Sequence, residues 1–288
     1  MKYFFKVQNF DGELAVFLLQ NGVSSRQVTR LRKRPGLIKC NGQIVFSNVM
    51  VHNGDEIEIE VEEKSTNAVP VCDVELDVIF EDEHFCVIDK PAGMAVIATK
   101  RYYGTSLQNV LANKWGDSFV FHPVNRLDKD TSGLMIVAKN SYVHNLFDKM
   151  LAQNQIEKTY LAVVEGVLQN DGEINLPILD VEGQIKRVVS DEGKQAVTQY
   201  QVQKTFDKNT VLKINLLTGR THQIRVHFSH SGYPLVGDEI YGKKSERIAR
   251  HALHAKGLAF VHPVTNEQMT FESALPNDIK LLMEGFYE

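Results

Sequence analysis

The sequence predicts an α+β fold over a largely antiparallel mixed sheet, preceded by a small α/β unit. Three observations point there. From Leu76 onward, apolar runs of strand length are numerous and segments of helical spacing are few. Lys64-Ser65-Thr66-Asn67-Ala68-Val69-Pro70 has the polar, proline-ended composition of a linker. Ahead of it lie a short helix, a hairpin and an alternating strand that can form a unit of their own. The expected division is therefore 1–63, 64–75 and 76–288, and a chain of 288 residues has enough material for two domains.

Each element has a local reason. Ser24 or Ser25 can cap a short helix carrying Val28 and Leu31, which ends before Pro35-Gly36. Leu37-Ile38-Lys39-Cys40 and Gln43-Ile44-Val45 flank Asn41-Gly42, a strong signal for a two-residue hairpin turn. Glu56-Ile57-Glu58-Ile59-Glu60-Val61-Glu62 alternates strictly, so one face is charged and the other buried. Val78-Ile79-Phe80 and Cys86-Val87-Ile88 bracket an acidic turn and predict a second hairpin, after which Lys90-Pro91-Ala92-Gly93 turns the chain again. Val143, Leu146, Phe147, Met150 and Leu151 have helical spacing, with Ser141 as the expected cap. Strands are expected over 159–164, 198–204, 211–217, 252–261 and 268–272. Thr221 is the expected cap of a helix that turns Ile224 and Phe228 inward.

Composition narrows the function classes. No apolar run approaches the length of a membrane span, and Met1–Lys6 is broken by charge too early for a secretory apolar region. The three cysteines, Cys40, Cys72 and Cys86, form no CxxC pair, which favours a reducing, cytoplasmic setting and argues against a cysteine-rich zinc site. The net charge of −4 argues at first against a nucleic-acid partner. Its distribution argues otherwise. Arg26, Arg30, Arg32, Lys33, Arg34 and Lys39 fall in one stretch without an acidic residue, and the acidic residues follow from Asp55 to Glu63. Taken alone, such a run is a solvated surface; beside an RNA-binding motif it is a footprint.

The chemistry concentrates in Asn125-Arg126-Leu127-Asp128-Lys129-Asp130-Thr131-Ser132-Gly133, a turn-rich connection between apolar runs at 119–124 and 134–138. Spacing alone fits either a catalytic loop or an Asx-type turn. Three further motifs accompany it: Asp89-Lys90-Pro91-Ala92-Gly93, Glu157-Lys158-Thr159-Tyr160-Leu161-Ala162, and Thr218-Gly219-Arg220-Thr221-His222-Gln223-Ile224-Arg225-Val226-His227. Together, in this order, they resemble the RluA-type pseudouridine synthases across roughly residues 75–288. The basic helix and hairpin of residues 1–63 resemble a small RNA-binding domain named after a ribosomal small-subunit protein, the S4-like domain, which often precedes such synthases.

That resemblance implies conversion of uridine to pseudouridine in structured RNA, with ribosomal RNA favoured over transfer RNA. It implies Asp128 as the carboxylate that acts on the nucleotide, either by attack or as a base at the sugar C2′. Arg225 is implied as its ion-pair partner, with Arg220 as the alternative, and Tyr160 as the aromatic face beneath the base. Arg126 is implied to fill the space that the extruded base leaves. Asn125 stands where the family usually has histidine, so an acid or base at that position is not expected. No phosphate-binding GxxxxGK[ST] or dinucleotide GxGxxG motif occurs, and the reaction calls for neither cofactor nor metal. His222 and His227, and likewise His251 and His254, lack the spacing or the carboxylates of a metal site. A monomer is expected.

Two other readings stay open on the sequence alone. Asp128-Lys129-Asp130-Thr131 matches the signature of magnesium-dependent aspartate phosphotransferases of the haloacid-dehalogenase type, although Asn125-Arg126 interrupts the apolar strand those enzymes need. A non-catalytic RNA-binding protein on the same fold would be expected to have lost Asp128, Tyr160 or the late arginines, and all are present.

Overall fold

A computed structural model describes residues 1–63, 74–99, 102–116, 119–206 and 208–284. Most of the expected linker, 64–75, and Cys72 lie outside these residues. Within the first 63 residues the alternation is realised as expected: strand Glu56–Glu60 buries Ile57 and Ile59 and turns its glutamates outward. It is central in a four-stranded antiparallel sheet, between Lys2–Lys6 and the hairpin Ile38–Cys40/Gln43–Ile44. Asn41 and Gly42 take φ of 50° and 79°, the two positive values that a primed turn demands. Helices Leu14–Gln20 and Ser25–Arg32 cover the sheet; Ser24 caps the second in a reciprocal box with Gln27.

The rest of the chain is organised by a mixed, ten-stranded sheet. In spatial order its main path runs Gly172–Asn175, Val197–Phe206, Asn209–Leu216, Glu157–Glu165, Leu253–Val261, Ser132–Ala138, Phe85–Lys90 and Asp77–Glu81. Among the described residues, one pairing in it is parallel: Ser132 and Gly133 against His254 and Ala255. The expected α+β class and its largely antiparallel sheet are therefore what is found. The chain enters this parallel pairing directly from the Asp128 turn, so the turn lies at the seam between the two antiparallel halves.

Gly133 makes that seam possible. Its φ is 112°, and a Cβ built on it would lie 2.2 Å from the Ala255 carbonyl oxygen. Gly133→Ala is expected to destabilise the fold by ~3 kcal/mol or more, because both strain and overlap fall on sheet backbone that cannot yield. Urea unfolding tests this, and a loss below about 1 kcal/mol would contradict the steric reading.

Two helix starts differ from expectation. Asn140, not Ser141, caps helix Ser141–Ala152: its side chain accepts from the backbone N–H groups of Tyr142 and Val143. Ser141 is taken by Glu63, whose Oε1 accepts from both its N–H and its hydroxyl at 2.6 Å. At helix Gln223–His230 the preceding residue is His222 in a left-handed conformation, and Thr221 is exposed. Three helices are not anticipated by the sequence patterns: Leu14–Gln20, Leu107–Trp115 and Asn277–Glu284.

The 1–63 segment packs closely on the sheet's helical cover. Tyr3 packs on Tyr142 with ring centroids 4.4 Å apart and receives a hydrogen bond from Asn140 Nδ2 at 2.7 Å. Gln27 Nε2 donates to the Ser141 hydroxyl, Tyr142 to the Asn21 carbonyl, and Asn145 to the Gly22 carbonyl. One apolar cluster runs from Tyr3, Leu18 and Ile59 through Phe85 and Phe147 to Phe260.

Candidate active site

The Asp128 turn is held by buried cations. Lys90, fully buried at the end of its strand, donates its three ammonium hydrogens to the carbonyls of Pro91, Met94 and Lys129 at 2.8, 2.9 and 3.0 Å. Burial pushes its pKa down to about 7, against the pull of Asp130, Asp128 and Asp89. From the opposite side Arg250, paired with Asp278 through two nitrogens, donates to the Asp130 carbonyl at 3.0 Å. The carbonyls of Lys129 and Asp130 are thus both fixed, and the Thr131 N–H closes the turn on the Asp128 carbonyl at 3.1 Å. His251 Nε2 lies 2.7 Å from the Thr131 hydroxyl, and burial drives its pKa down to about 4. A turn anchored this way holds Asp128 in a defined position at the cleft.

Arg225, from helix Gln223–His230, reaches that carboxylate: Nη1 donates to Asp128 Oδ2 at 2.9 Å. Its remaining edge forms a fork with Asp238, Nε to Oδ2 at 2.7 Å and Nη2 to Oδ1 at 2.8 Å. Its plane lies over the Tyr241 ring, 5.1 Å from the centroid. Burial alone would raise the Asp238 carboxyl, but the guanidinium outweighs it and the net effect is downward. Arg225 is correspondingly raised despite its own burial. Of the two arginines considered for Asp128, Arg225 makes the contact. Arg220 is exposed, and its Nε donates to the Gln195 carbonyl.

Tyr160 is buried on strand Glu157–Glu165, in the same cleft wall as Asp128; burial foremost, and then the Asp128 charge, raise its pKa. Leu127 turns into the core and Arg126 out to solvent at the cleft. Asn125 accepts from the Ile136 N–H at 2.8 Å, so its amide serves the backbone of strand Ser132–Ala138. The cleft that joins these groups has a volume of about 1080 Å³ and is also lined by Lys158, Arg187, Arg220 and His222. Lys158 has its pKa lowered by burial.

The basic stretch behaves differently once folded. Arg32 meets Glu13 at 3.7 Å, Arg34 pairs with Glu62, and Lys39 lies 3.3 Å from Glu58. Arg30 donates to the Glu62 carbonyl, while Arg26 and Lys33 are exposed. Folding thus supplies carboxylates that the linear stretch lacks, and half of the six cations are partly neutralised on the unit itself.

Residues to which the sequence reading gives no role complete the site: Lys90 and His222, which stand within the quoted motifs, and Asp238, Tyr241 and Arg250, which stand outside them. Gly237-Asp238-Glu239-Ile240-Tyr241-Gly242 is the available signal, an acid and an aromatic framed by glycines. Gly237 has φ of 76°, and a Cβ built on it would lie 2.3 Å from the Arg250 carbonyl oxygen, so the chain can pass here only with glycine.

The seam of the mixed sheet thus brings together an anchored aspartate, its arginine partner and a buried tyrosine, the three residues that the resemblance to pseudouridine synthases implies. Comparison with known proteins agrees. Residues 84–230 match the family model described as RNA pseudouridylate synthase. An uncharacterized RNA pseudouridine synthase, YjbO of Bacillus subtilis, is 35% identical over 285 residues, covering 97% of this chain and 98% of that protein. The ribosomal large subunit pseudouridine synthase D of Pseudomonas aeruginosa is 38% identical, covering 87% of this chain and 84% of that one. Among solved structures, human RNA pseudouridylate synthase domain containing 1 superposes with a TM-score of 0.58 at 25% identity, over 70% of this chain and 84% of that one. The chain belongs to the RNA pseudouridylate synthase family and is an RNA pseudouridine synthase, an isomerase.

Proposed function

We propose that this synthase acts on uridine in ribosomal RNA, with Asp128 as the group that attacks or deprotonates the sugar. The observation that carries it is the Asp128–Arg225 contact at 2.9 Å inside a cleft large enough for an extruded nucleotide. In the reaction the bond from N1 to C1′ breaks, the base turns, C5 bonds to C1′, and the C5 proton leaves while N1 regains one. Arg225 remains the charge partner of Asp128 as a nucleotide displaces water around it. Tyr160 offers a face for the base, and Arg126, Lys158 and Arg220 line the path of the phosphates. Ribosomal RNA is favoured because several relatives, including those of Pseudomonas aeruginosa and Zymomonas mobilis, carry the name ribosomal large subunit pseudouridine synthase D. The isomerisation changes no oxidation state, so neither cofactor nor metal is invoked, and we assign the protein to the cytoplasm as a monomer.

Tritium release from RNA labelled at C5 of uridine tests the proposal, with ribosomal and transfer RNA compared side by side. Faster release from ribosomal RNA is expected; release from transfer RNA alone would overturn the substrate, and tight binding without release would favour a non-catalytic binder.

The S4-like reading of residues 1–63 belongs to the same proposal, with Arg26 and Lys33 as its least neutralised cations. Arg26→Glu with Lys33→Glu is expected to weaken RNA binding and to lower the slope of log K against log salt by about one for each phosphate no longer neutralised. Turnover at saturating RNA should change little. An unaltered slope in filter-binding titrations would remove this unit from the RNA interface.

A further inference from the structure

His222 stands in a capping position and does not cap. Its φ of 58° lies in the left-handed region, a conformation that a non-glycine residue keeps only where its surroundings impose it. Its side chain makes no bond to the helix it precedes and lines the cleft instead. There Nδ1 is 2.8 Å from the Tyr241 hydroxyl, and Nε2 faces Asp128 Oδ2 at 3.8 Å, too far for a hydrogen bond.

The Tyr241 hydroxyl joins the backbone to the imidazole. The Tyr241 hydroxyl oxygen accepts from the Arg187 backbone N–H at 2.7 Å. A hydroxyl has one hydrogen to give, and the partner found for it is His222 Nδ1. Where the hydroxyl gives that hydrogen to Nδ1, a neutral ring carries its own on Nε2, the nitrogen turned to the cleft. Several features hold this state. Burial opposes a second proton, Arg225 and Arg187 act in the same direction, and Asp128 and Asp238 oppose them; the net shift is downward. Tyr241 is itself packed beneath Arg225, which lies over its ring, and meets the imidazole edge-on with centroids 5.5 Å apart.

We propose that His222 contacts the substrate: its Nε2–H, oriented by Tyr241, donates to an oxygen of the nucleotide seated against Asp128. A donor that lines the cleft and lies out of hydrogen-bond reach of the carboxylate can bond an oxygen seated beside Asp128. Neutrality matters here, since an imidazolium would pair with Asp128 and compete with Arg225 for it. The assignment rests on Asp128 being the group that acts on uridine.

Two measurements test it on the full-length protein. Spectra of 15N-histidine-labelled protein without RNA, with the signal assigned by its loss in His222→Gln, should show a neutral ring protonated at Nε2 near neutral pH. An Nδ1-protonated or doubly protonated ring would overturn the proposal. In single-turnover assays at saturating RNA, His222→Phe should slow the reaction roughly tenfold, the usual effect of deleting one neutral hydrogen bond, and His222→Gln should recover most of it. His222→Phe matching an active wild type would overturn the contact alone. Wild-type inactivity on every RNA offered would overturn the functional reading and the contact together.

Discussion

Replacing Asp128 with asparagine is expected to cut C5 tritium release by at least a factor of about 10³ while leaving the protein folded. Asparagine keeps an oxygen in place to accept from Arg225 Nη1 at the position now 2.9 Å away. It removes the charge and the nucleophilic or basic oxygen, and rate losses of this order follow when the group that reacts is deleted. Stability should change little, by ~1 kcal/mol or less. The Asp128 side chain is 22% exposed, and Arg225 retains the Asp238 fork. Tritium release and urea unfolding of the same preparation separate the two effects. Activity within about tenfold of wild type would sink the assignment of Asp128.

Arg225→Met is expected to cost both activity and stability. The side chain of Asp238 is fully buried, and without Arg225 its charge loses both of its guanidinium bonds. Leaving one member of a buried pair unpaired costs about 3–5 kcal/mol. If the loss at Asp128 falls on the transition state, turnover drops by at least about a hundredfold. The sign of the pH dependence follows from Asp238. In the wild type burial would raise its pKa, the guanidinium more than compensates, and the net shift is downward. Its contribution to stability is therefore present above the unfolded pKa and lost as pH falls through the lower, folded one. In the variant burial acts unopposed by that guanidinium and the folded pKa rises, so acidification protonates Asp238 and relieves the penalty. The gap in unfolding free energy between wild type and variant should narrow from about pH 7 to about pH 5. A constant or widening gap would show that Asp238 is not the group left stranded.

The sequence disclosed the local half of this site. Asp128, Tyr160 and Arg225 are legible because each stands in a contiguous motif, and the Asn41-Gly42 turn because two positive φ values leave few residue choices. What remains hidden depends on contacts far apart in the chain. Asp238 meets Arg225 only after the loop following its helix folds back. Ser141 has the look of a cap, but Glu63, 78 positions earlier, claims it and leaves the role to Asn140. The basic stretch reads as uncompensated because Glu13, Glu58 and Glu62 arrive from other strands and turns. Asn125 reads as a departure at a chemical position; its carboxamide instead completes backbone bonding eleven residues away.

The apolar cluster that joins Tyr3 to Phe260 has a consequence for synthesis on the ribosome. The first 63 residues emerge early and can form their own sheet, yet the surface around Tyr3 finds its cover only when Asn140 and Tyr142 arrive. Phe147, beneath that cover, is closed in turn by Phe260, near the end of the chain. The face of residues 1–63 is thus closed only after Tyr142 has been made, and the core beneath that cover only after Phe260, so the nascent chain carries an open apolar face over the stretch between them.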